Sequence, residues 1–296
     1  MPPLFFKLGL GAAQFGLDGR GPPRGRSPES EVRDILALAA RSELKLLDAS
    51  AASAHGEAVL GGVMPRPAPF RIVVRAARGE RGAEVVAAEA RASLARLGVT
   101  SAESIMVPSA GDLFAPWGET FWRSLLNLKA EGLFAKVGIS AYASDDPAGL
   151  ARRFRPDIIQ VPSSLLDQRL LVDGTLAAIR EAGAEVHLRS IFLNGLLFLP
   201  PDRAPSQIGA SALSRLSRAR RLIAEGRSDP LQAALGFALS RPEADRVIVG
   251  AATVAELSAI FAAAAKPPPD LDWDGMALED PAALDPPQGQ RRWAAA

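Results

Sequence analysis

The chain has 296 residues, 48% of them hydrophobic and 23% charged, which is enough apolar material for the core of one large domain; its net charge of +1 excludes a global pull towards nucleic acid or a membrane surface. It holds no cysteine and two histidines, His55 and His187, which excludes disulfides and thiolate nucleophiles and argues against any metal site. No apolar run reaches the ~20 residues of a membrane span, Met1–Leu10 lacks the pattern of a signal peptide, and the Arg- and Ala-rich usage suggests a GC-rich genome, so the expectation is a soluble, cytoplasmic, bacterial protein.

Short apolar runs alternate with longer amphipathic ones. Lys7–Gln14 (KLGLGAAQ) predicts a strand, followed by a Gly/Pro/Arg loop over Gly16–Arg26. Ser27-Pro28-Glu29 opens a helix, with a hydroxyl N-cap, Pro in the first turn and an acid at the positive end of the dipole. That helix runs to about Ser42 and carries Val32, Ile35, Leu36 and Ala39 on one face. Lys45–Ser50 is the next strand; Phe70–Ala76 is a strand and Ala83–Leu97 a helix; Glu103–Pro108 is a strand and Trp117–Glu131 a helix ended by Gly132. Phe134–Ala141 is a strand and Pro147–Phe154 a helix; Asp157–Pro162 is a strand and Asp173–Ala182 a helix stopped by Gly183. Glu185–Ile191 is a strand, with helices at Ala212–Glu225 and Pro230–Leu239. Val247–Gly250 is the last strand, and Thr253 with Glu256 forms a capping box for a helix through Ala265.

Eight strands, each followed by helix, predict a parallel sheet with crossover helices, and their number and spacing fit a closed (β/α)8 TIM barrel over residues 1–266. The alternative, an open doubly wound sheet, wants a third glycine and a helix start after the first strand; Gly9-Leu10-Gly11-Ala12-Ala13-Gln14 supplies neither. Residues 267–296, rich in Pro and Asp, are expected to lie over the barrel as a tail.

In such a barrel the site sits at the C-terminal ends of the strands. The polar residues there are Gln14, Asp48, Arg75, Ser109, Ser140, Gln160, Arg189 and Ser190, with Gly250 on the last strand. Asp48 and Arg75 end adjacent strands, so an ion pair inside the mouth is one reading; a turn aspartate and a solvated arginine are the other. Gln160 lies in an apolar strand and needs a partner, either structural or a ligand.

These strand ends carry a resemblance. Leu8-Gly9-Leu10-Gly11-Ala12-Ala13-Gln14-Phe15-Gly16-Leu17-Asp18, Leu46-Leu47-Asp48-Ala49-Ser50 with Gly56-Glu57-Ala58-Val59-Leu60-Gly61, and Gly138-Ile139-Ser140 occur in family order. So do Asp157-Ile158-Ile159-Gln160-Val161-Pro162 with Leu165-Leu166-Asp167-Gln168-Arg169, Arg189-Ser190-Ile191-Phe192-Leu193-Asn194-Gly195, and Val249-Gly250. Together they resemble the aldo-keto reductases, in particular a bacterial subgroup found near sugar-biosynthesis genes, over nearly the whole chain.

The resemblance implies NADPH- or NADH-dependent carbonyl chemistry on an Asp, Tyr, Lys and His tetrad, with Tyr as proton donor, His orienting the carbonyl, and the Lys–Asp pair lowering the Tyr pKa. Asp48 matches the Asp. The Tyr position falls at Ser53, a far weaker acid; the Lys position falls at Arg75, which cannot be deprotonated; the His position falls at Pro108, which has no proton to give. Loss of a general acid costs about 10²–10⁴ in rate. His55, two residues beyond Ser53, is the candidate replacement acid, against the reading of an exposed helix-start histidine; Tyr142, the only tyrosine, reads as packing, and His187 as a core or helix-facing histidine.

By the same resemblance Ser140 and Gln160 would hold a nicotinamide carboxamide, Arg189 would lie against the ring, and Ser190, Phe192 and Gly195 would follow the pyrophosphate. Gly250 and the helix start at Thr253 would face the adenosine end. Residues 250–256 hold no cation for a 2′-phosphate, so NADH is favoured over NADPH. The readings are therefore a barrel with an eroded site that works by binding, an oxidoreductase with a rearranged acid such as His55, or a lyase or isomerase using Asp48 and Arg75. The expected partner is a small molecule in the mouth, with no nucleic acid, membrane or metal. The Arg-rich stretch Ser214–Arg227 is either a protein-facing surface or a solvated helix.

Overall fold

Eight parallel strands close into a barrel in chain order: β1 (Leu8–Gly11), β2 (Leu46–Asp48), β3 (Arg71–Arg75), β4 (Ala102–Val107), β5 (Phe134–Ser140), β6 (Ile158–Pro162), β7 (Glu185–Arg189) and β8 (Arg246–Gly250). Strand β1 pairs with both β2 and β8, and that closure excludes an open doubly wound sheet. The structure, a computed structural model, describes residues 4–15, 27–50, 53–199 and 209–285. The Gly16–Arg26 loop and Trp293 lie outside the described residues.

The connections are α1 (Glu29–Arg41), α2 (Ala54–Val63), α3 (Ala83–Leu97), α4 (Gly111–Phe114), α5 (Gly118–Ala130), α6 (Pro147–Phe154), α7 (Arg169–Val172), α8 (Thr175–Glu181), α9 (Ala210–Glu225), α10 (Pro230–Leu239) and α11 (Val254–Ala264), with α12 (Pro281–Leu284) in the tail. Their apolar stripes face the sheet; α1 buries Val32, Ile35, Leu36 and Ala39, the face its spacing predicts. Gly132, just past α5, takes φ +79°, a left-handed stop that a side chain would strain. Among the described residues, no helix is long and apolar enough to cross a membrane.

Both faces of each strand are buried, so the strands read as near-continuous apolar runs. Outward-facing Leu47, Val74, Ile105, Ile159, Val186 and Val249 meet the helices. Inward-facing Leu46, Val73, Met106, Ile158 and Ile248 form a separate cluster inside the barrel. Each such burial contributes about 1.5–3 kcal/mol. A Cβ at Gly138 would fall 2.4 Å from the Met106 sulfur, and one at Gly9 would fall 2.7 Å from Ile248, so neighbours' side chains fill those two positions.

Several local expectations are corrected. Strand β2 stops at Asp48 because the Asp48 carboxylate accepts the Ser50 N–H at 2.8 Å and turns the chain out of the sheet. Ser27 does not cap α1; Pro28 is the N-cap without a side-chain bond, and the Ser27 hydroxyl donates to the Ala252 carbonyl at 2.8 Å. The helix expected from Asp173 starts at Thr175, whose N–H the Asp173 carboxylate accepts at 2.9 Å. In the tail, Met276 and Leu278 are buried with Leu165, Leu166, Leu216 and Phe237, and the Leu278 N–H donates to the Leu166 carbonyl at 2.8 Å.

Candidate active site

Side chains alternate along a strand, so the barrel register decides which residues meet at the mouth. Gly11 pairs with Asp48 and with Gly250, and Ser140 pairs with Gln160. The inward-facing Leu46, Val73, Met106, Ile158 and Ile248 fill the barrel interior. At or near the C-terminal ends of the strands, the inward-facing positions are Asp48, Arg75, Ser140, Gln160, Arg189 and Gly250. Pro108 follows β4 at the same level and is half-buried.

Asp48 is 4% exposed and Gln160 2%. The Gln160 amide donates from Nε2 to Asp48 Oδ2 at 2.6 Å, while Asp48 Oδ1 takes the Ser50 N–H. Both carboxylate oxygens are thus engaged, and Gln160 has the partner its setting demanded. Asp48 and Arg75 do not form the ion pair that adjacent strand ends allow; among the described residues Arg75 makes no hydrogen bond or ion pair. Burial pushes the Arg75 guanidinium below its ordinary value; Asp48 opposes that shift and Arg189 adds to it. An arginine so placed keeps its proton, so the mouth holds a real positive charge.

Arg189, 3% exposed, donates to the Ala141 carbonyl at 3.3 Å and to the Ser190 hydroxyl at 3.4 Å. Its guanidinium lies 4.5 Å from the centroid of the Tyr142 ring, a cation–π contact. Tyr142, read as packing from the sequence, packs its ring against Arg189 beside the mouth. The signal for it was its place two residues beyond the strand-end Ser140.

Ser53 is the N-cap of α2, and its hydroxyl accepts the Gly56 N–H at 3.1 Å. His55 sits exposed on the first turn of that helix. His187 is inside the barrel rather than helix-facing: it is opposite Gln160 in register, 2% exposed, with Nε2 3.5 Å from Glu185. After β7 the backbone is unusual, with Ser190 at φ +57°, Leu193 at +45° and Gly195 at +82°. Left-handed non-glycine residues are strained by about 1 kcal/mol or more, and such strain gathers at ligand-facing loops. Phe192 packs its ring 5.5 Å from Phe198, and among the described residues nothing approaches the space beside Gly195 within 4 Å.

At the other side of the mouth, Thr253 is the N-cap of α11 and accepts the Glu256 N–H at 3.1 Å. The Glu256 carboxylate reaches past the cap residue to the Ala252 N–H at 2.8 Å. The Val254 N–H donates to Glu31 of α1 at 2.6 Å, a contact sequence reasoning missed because no local pattern joins residues so distant along the chain. Three of the amides around this helix start, those of Ala252, Val254 and Glu256, are already bonded to protein oxygens. Among the described residues, no group of three or more His, Cys, Asp or Glu is placed to hold a metal ion.

The model of the Aldo/keto reductase family matches residues 7–276. PA4992 of Pseudomonas aeruginosa, assigned as an aldo-keto reductase, superimposes with a TM-score of 0.63 at 19% identity, over 88% of this chain and 89% of that one. The holo form of the aldo-keto reductase AKR11C1 of Bacillus halodurans superimposes with a TM-score of 0.72 at 20% identity, over 89% of this chain and 88% of that one. No curated protein matches the sequence. The family model spans nearly all the barrel, and the strand order and closure are those of a (β/α)8 barrel: the chain belongs to the aldo/keto reductase family.

Proposed function

We propose that this chain is an aldo-keto reductase-like barrel with an eroded active site, a ligand-binding or regulatory protein in which hydride transfer is weak or lost. The observation that carries the reading is the fate of the proton donors. The Ser53 hydroxyl, at the Tyr position, is engaged in capping α2, and Pro108, at the His position, has no proton to offer. Arg75, at the Lys position, is fixed as a cation and is not paired with Asp48. Removing a general acid from such a site costs about 3–5 kcal/mol of barrier.

A nicotinamide dinucleotide, when bound, supplies the hydride in this family. Ser140 and the remaining amide oxygen of Gln160 would hold its carboxamide, Arg189 would flank the ring, and the open space at Gly195 suits a backbone approach by the pyrophosphate. The 2′-phosphate of NADPH fits poorly: Glu31 and Glu256 already bring carboxylates to the start of α11, and residues 250–256 carry no cation. NADH is the better candidate. The likeness to a sugar-linked bacterial subgroup points to a sugar-like or other small polar ligand, in a cytoplasmic setting.

The test is titration with NADH and NADPH by calorimetry, followed by a panel of aldehydes, ketones and sugars. The expected result is no oxidation of either dinucleotide above the uncatalysed rate. Measurable turnover overturns the reading and favours an oxidoreductase with a rearranged acid such as His55. The double variant Ser53→Tyr, Pro108→His is expected to raise hydride transfer by about 10²-fold if the fold still places both groups.

A further inference from the structure

On the outside of the barrel, α5 and α6 carry aromatic side chains that the fold leaves uncovered among the described residues. Phe114, at the end of α4, is 56% exposed, and its ring meets Phe154 of α6 edge-on at 5.7 Å. Trp122 of α5 also meets Phe154 at 5.7 Å, and Leu126, one turn further along α5, is 41% exposed. Arg153 lays its guanidinium over Phe114 at 5.0 Å and over Phe154 at 5.3 Å. Arg152 and Arg155 stand exposed at the same helix end, and neither makes a hydrogen bond or ion pair among the described residues. Neighbouring charges on α5 are already matched, Arg123 with Glu119 and Lys129 with Asp157. Aromatic rings and arginines are the groups that protein interfaces concentrate, and contiguous exposed apolar surface marks contact sites.

The same chain carries a segment of complementary chemistry. Residues 267–274 (PPPDLDWD) follow α11 and precede the buried Met276. Pro267 and Pro268 are exposed, as are Asp270, Asp272 and Asp274. Asp272 accepts the Gly275 N–H, while Asp270 and Asp274 have no side-chain partner among the described residues. One side of the segment lies on α10, where Pro268 and Pro269 fill the space beside Gly236, so its shape is already set before any contact. We propose that a second copy of this chain docks the segment on the α5–α6 face, its prolines on Phe114, Trp122 and Leu126 and its carboxylates on the three arginines of α6. Proline rings are apolar and restricted in φ, so they cover aromatic faces at small entropic cost. The arginines select the acidic flank, and they disfavour two copies meeting arginine face to arginine face, which would oppose like charges. Two copies can satisfy the contact reciprocally about a two-fold axis or repeat it along a chain. A contact formed by so few residues is weak, and low salt strengthens it.

The experiment is sedimentation velocity on the full chain at rising concentration, in low and in moderate salt. The natural chain is expected to associate reversibly, and added salt to weaken the association. Arg152→Glu with Arg153→Glu, and separately Asp270→Lys with Asp274→Lys, are expected to be monomeric, because each sets like charge against like. Mixed together, the two charge-reversed proteins are expected to associate again, since each supplies the opposite of the other's altered surface. Phe114→Ser changes no charge, and it is expected to weaken association of the natural chain and of the mixture by about 10- to 30-fold, the loss of one aromatic anchor. All these positions are exposed, and unchanged melting temperatures check that the variants fold. A natural chain that stays monomeric throughout, association indifferent to both charge reversals, or a mixture that stays monomeric overturns the proposal. So does a mixture that associates equally well in the Phe114→Ser background, which would show attraction between oppositely charged proteins without a defined contact. A monomeric natural chain that nevertheless binds a synthetic peptide of residues 267–274 also overturns it, and gives the face to an acidic, proline-rich segment of another protein.

Discussion

The two ends of the barrel treat charge in opposite ways. At the floor, where the strands begin, Lys136 lies between Glu103 at 2.9 Å and Glu185 at 2.7 Å, Arg71 stands 3.8 Å from Glu103, and His187 stands 3.5 Å from Glu185. Every one of these groups has an opposite or complementary neighbour. At the mouth, where the strands end, the Asp48 carboxylate bonds to an amide and a backbone N–H, and Arg75 makes no hydrogen bond or ion pair among the described residues. The same alternation of side chains aims charges inward at both ends. What differs is compensation: the floor closes the barrel by charge pairing, while Arg75 at the mouth is unpaired among the described residues. Residues at the floor of this fold serve stability and residues at its mouth serve ligands, and the pairing pattern makes that division visible here.

The largest expected effect tests the mouth. Gln160→Leu removes the amide from a carboxylate that is 4% exposed, leaving Asp48 Oδ2 without its bond. The loss should reach about 3 kcal/mol, the upper range for a buried acceptor that is charged. Urea unfolding measures it. Unchanged stability would mean that the Asp48–Gln160 bond does not hold this layer together.

The floor supplies the next effect. Lys136→Met leaves Glu103 and Glu185 facing each other without their shared cation. Lys136 is a quarter exposed, so solvent moderates the damage, and a loss of about 2 kcal/mol in the same assay is expected. The comparison with Arg75→Met is the sharp one. Removing a paired cation at the floor should destabilise, and removing Arg75, unpaired among the described residues, should not. If both variants lose stability alike, the contrast between the two ends fails.

The barrel itself was legible because its signals are local: apolar runs bounded by turn residues, glycine stops such as Gly132, and eight repeats of one pattern. The period-two alternation also placed Asp48, Arg75, Gln160 and Arg189 at strand ends, since that needs only sequence offsets. Pairing between them was not legible. Nothing in the sequence says that Asp48 bonds to Gln160, 112 residues away, rather than to the arginine one strand over. Ser27 shows the same limit. Its position fits a helix cap, but tertiary packing brings the Ala252 carbonyl within 2.8 Å, and the hydroxyl goes there instead. Glu31 at the start of α11 and Tyr142 beneath Arg189 are likewise products of closure, which brings remote loops together. Local chemistry sets where a side chain sits; the closed barrel sets what it touches.

The smallest expected effect reads the floor through pH. The His187 imidazole and then Lys136 hold the Glu185 carboxyl down to about 2, against a burial that pushes it up. An unfolded chain returns it to about 4.3, so the folded state favours the ionised form. That contribution is fully present above pH 4.3, falls as the pH drops from about 4.3 towards 2, and is gone below 2. Because the Glu185 side chain is 39% exposed, solvent screens it, and less than about 1 kcal/mol is expected. Glu185→Gln should therefore unfold at lower urea than the natural chain at pH 6, with the gap narrowing at pH 4 and closing further at pH 3. A gap that stays constant over that range would assign the contact to hydrogen bonding and packing rather than to charge, and the floor would lose the electrostatic character that sets it apart from the mouth.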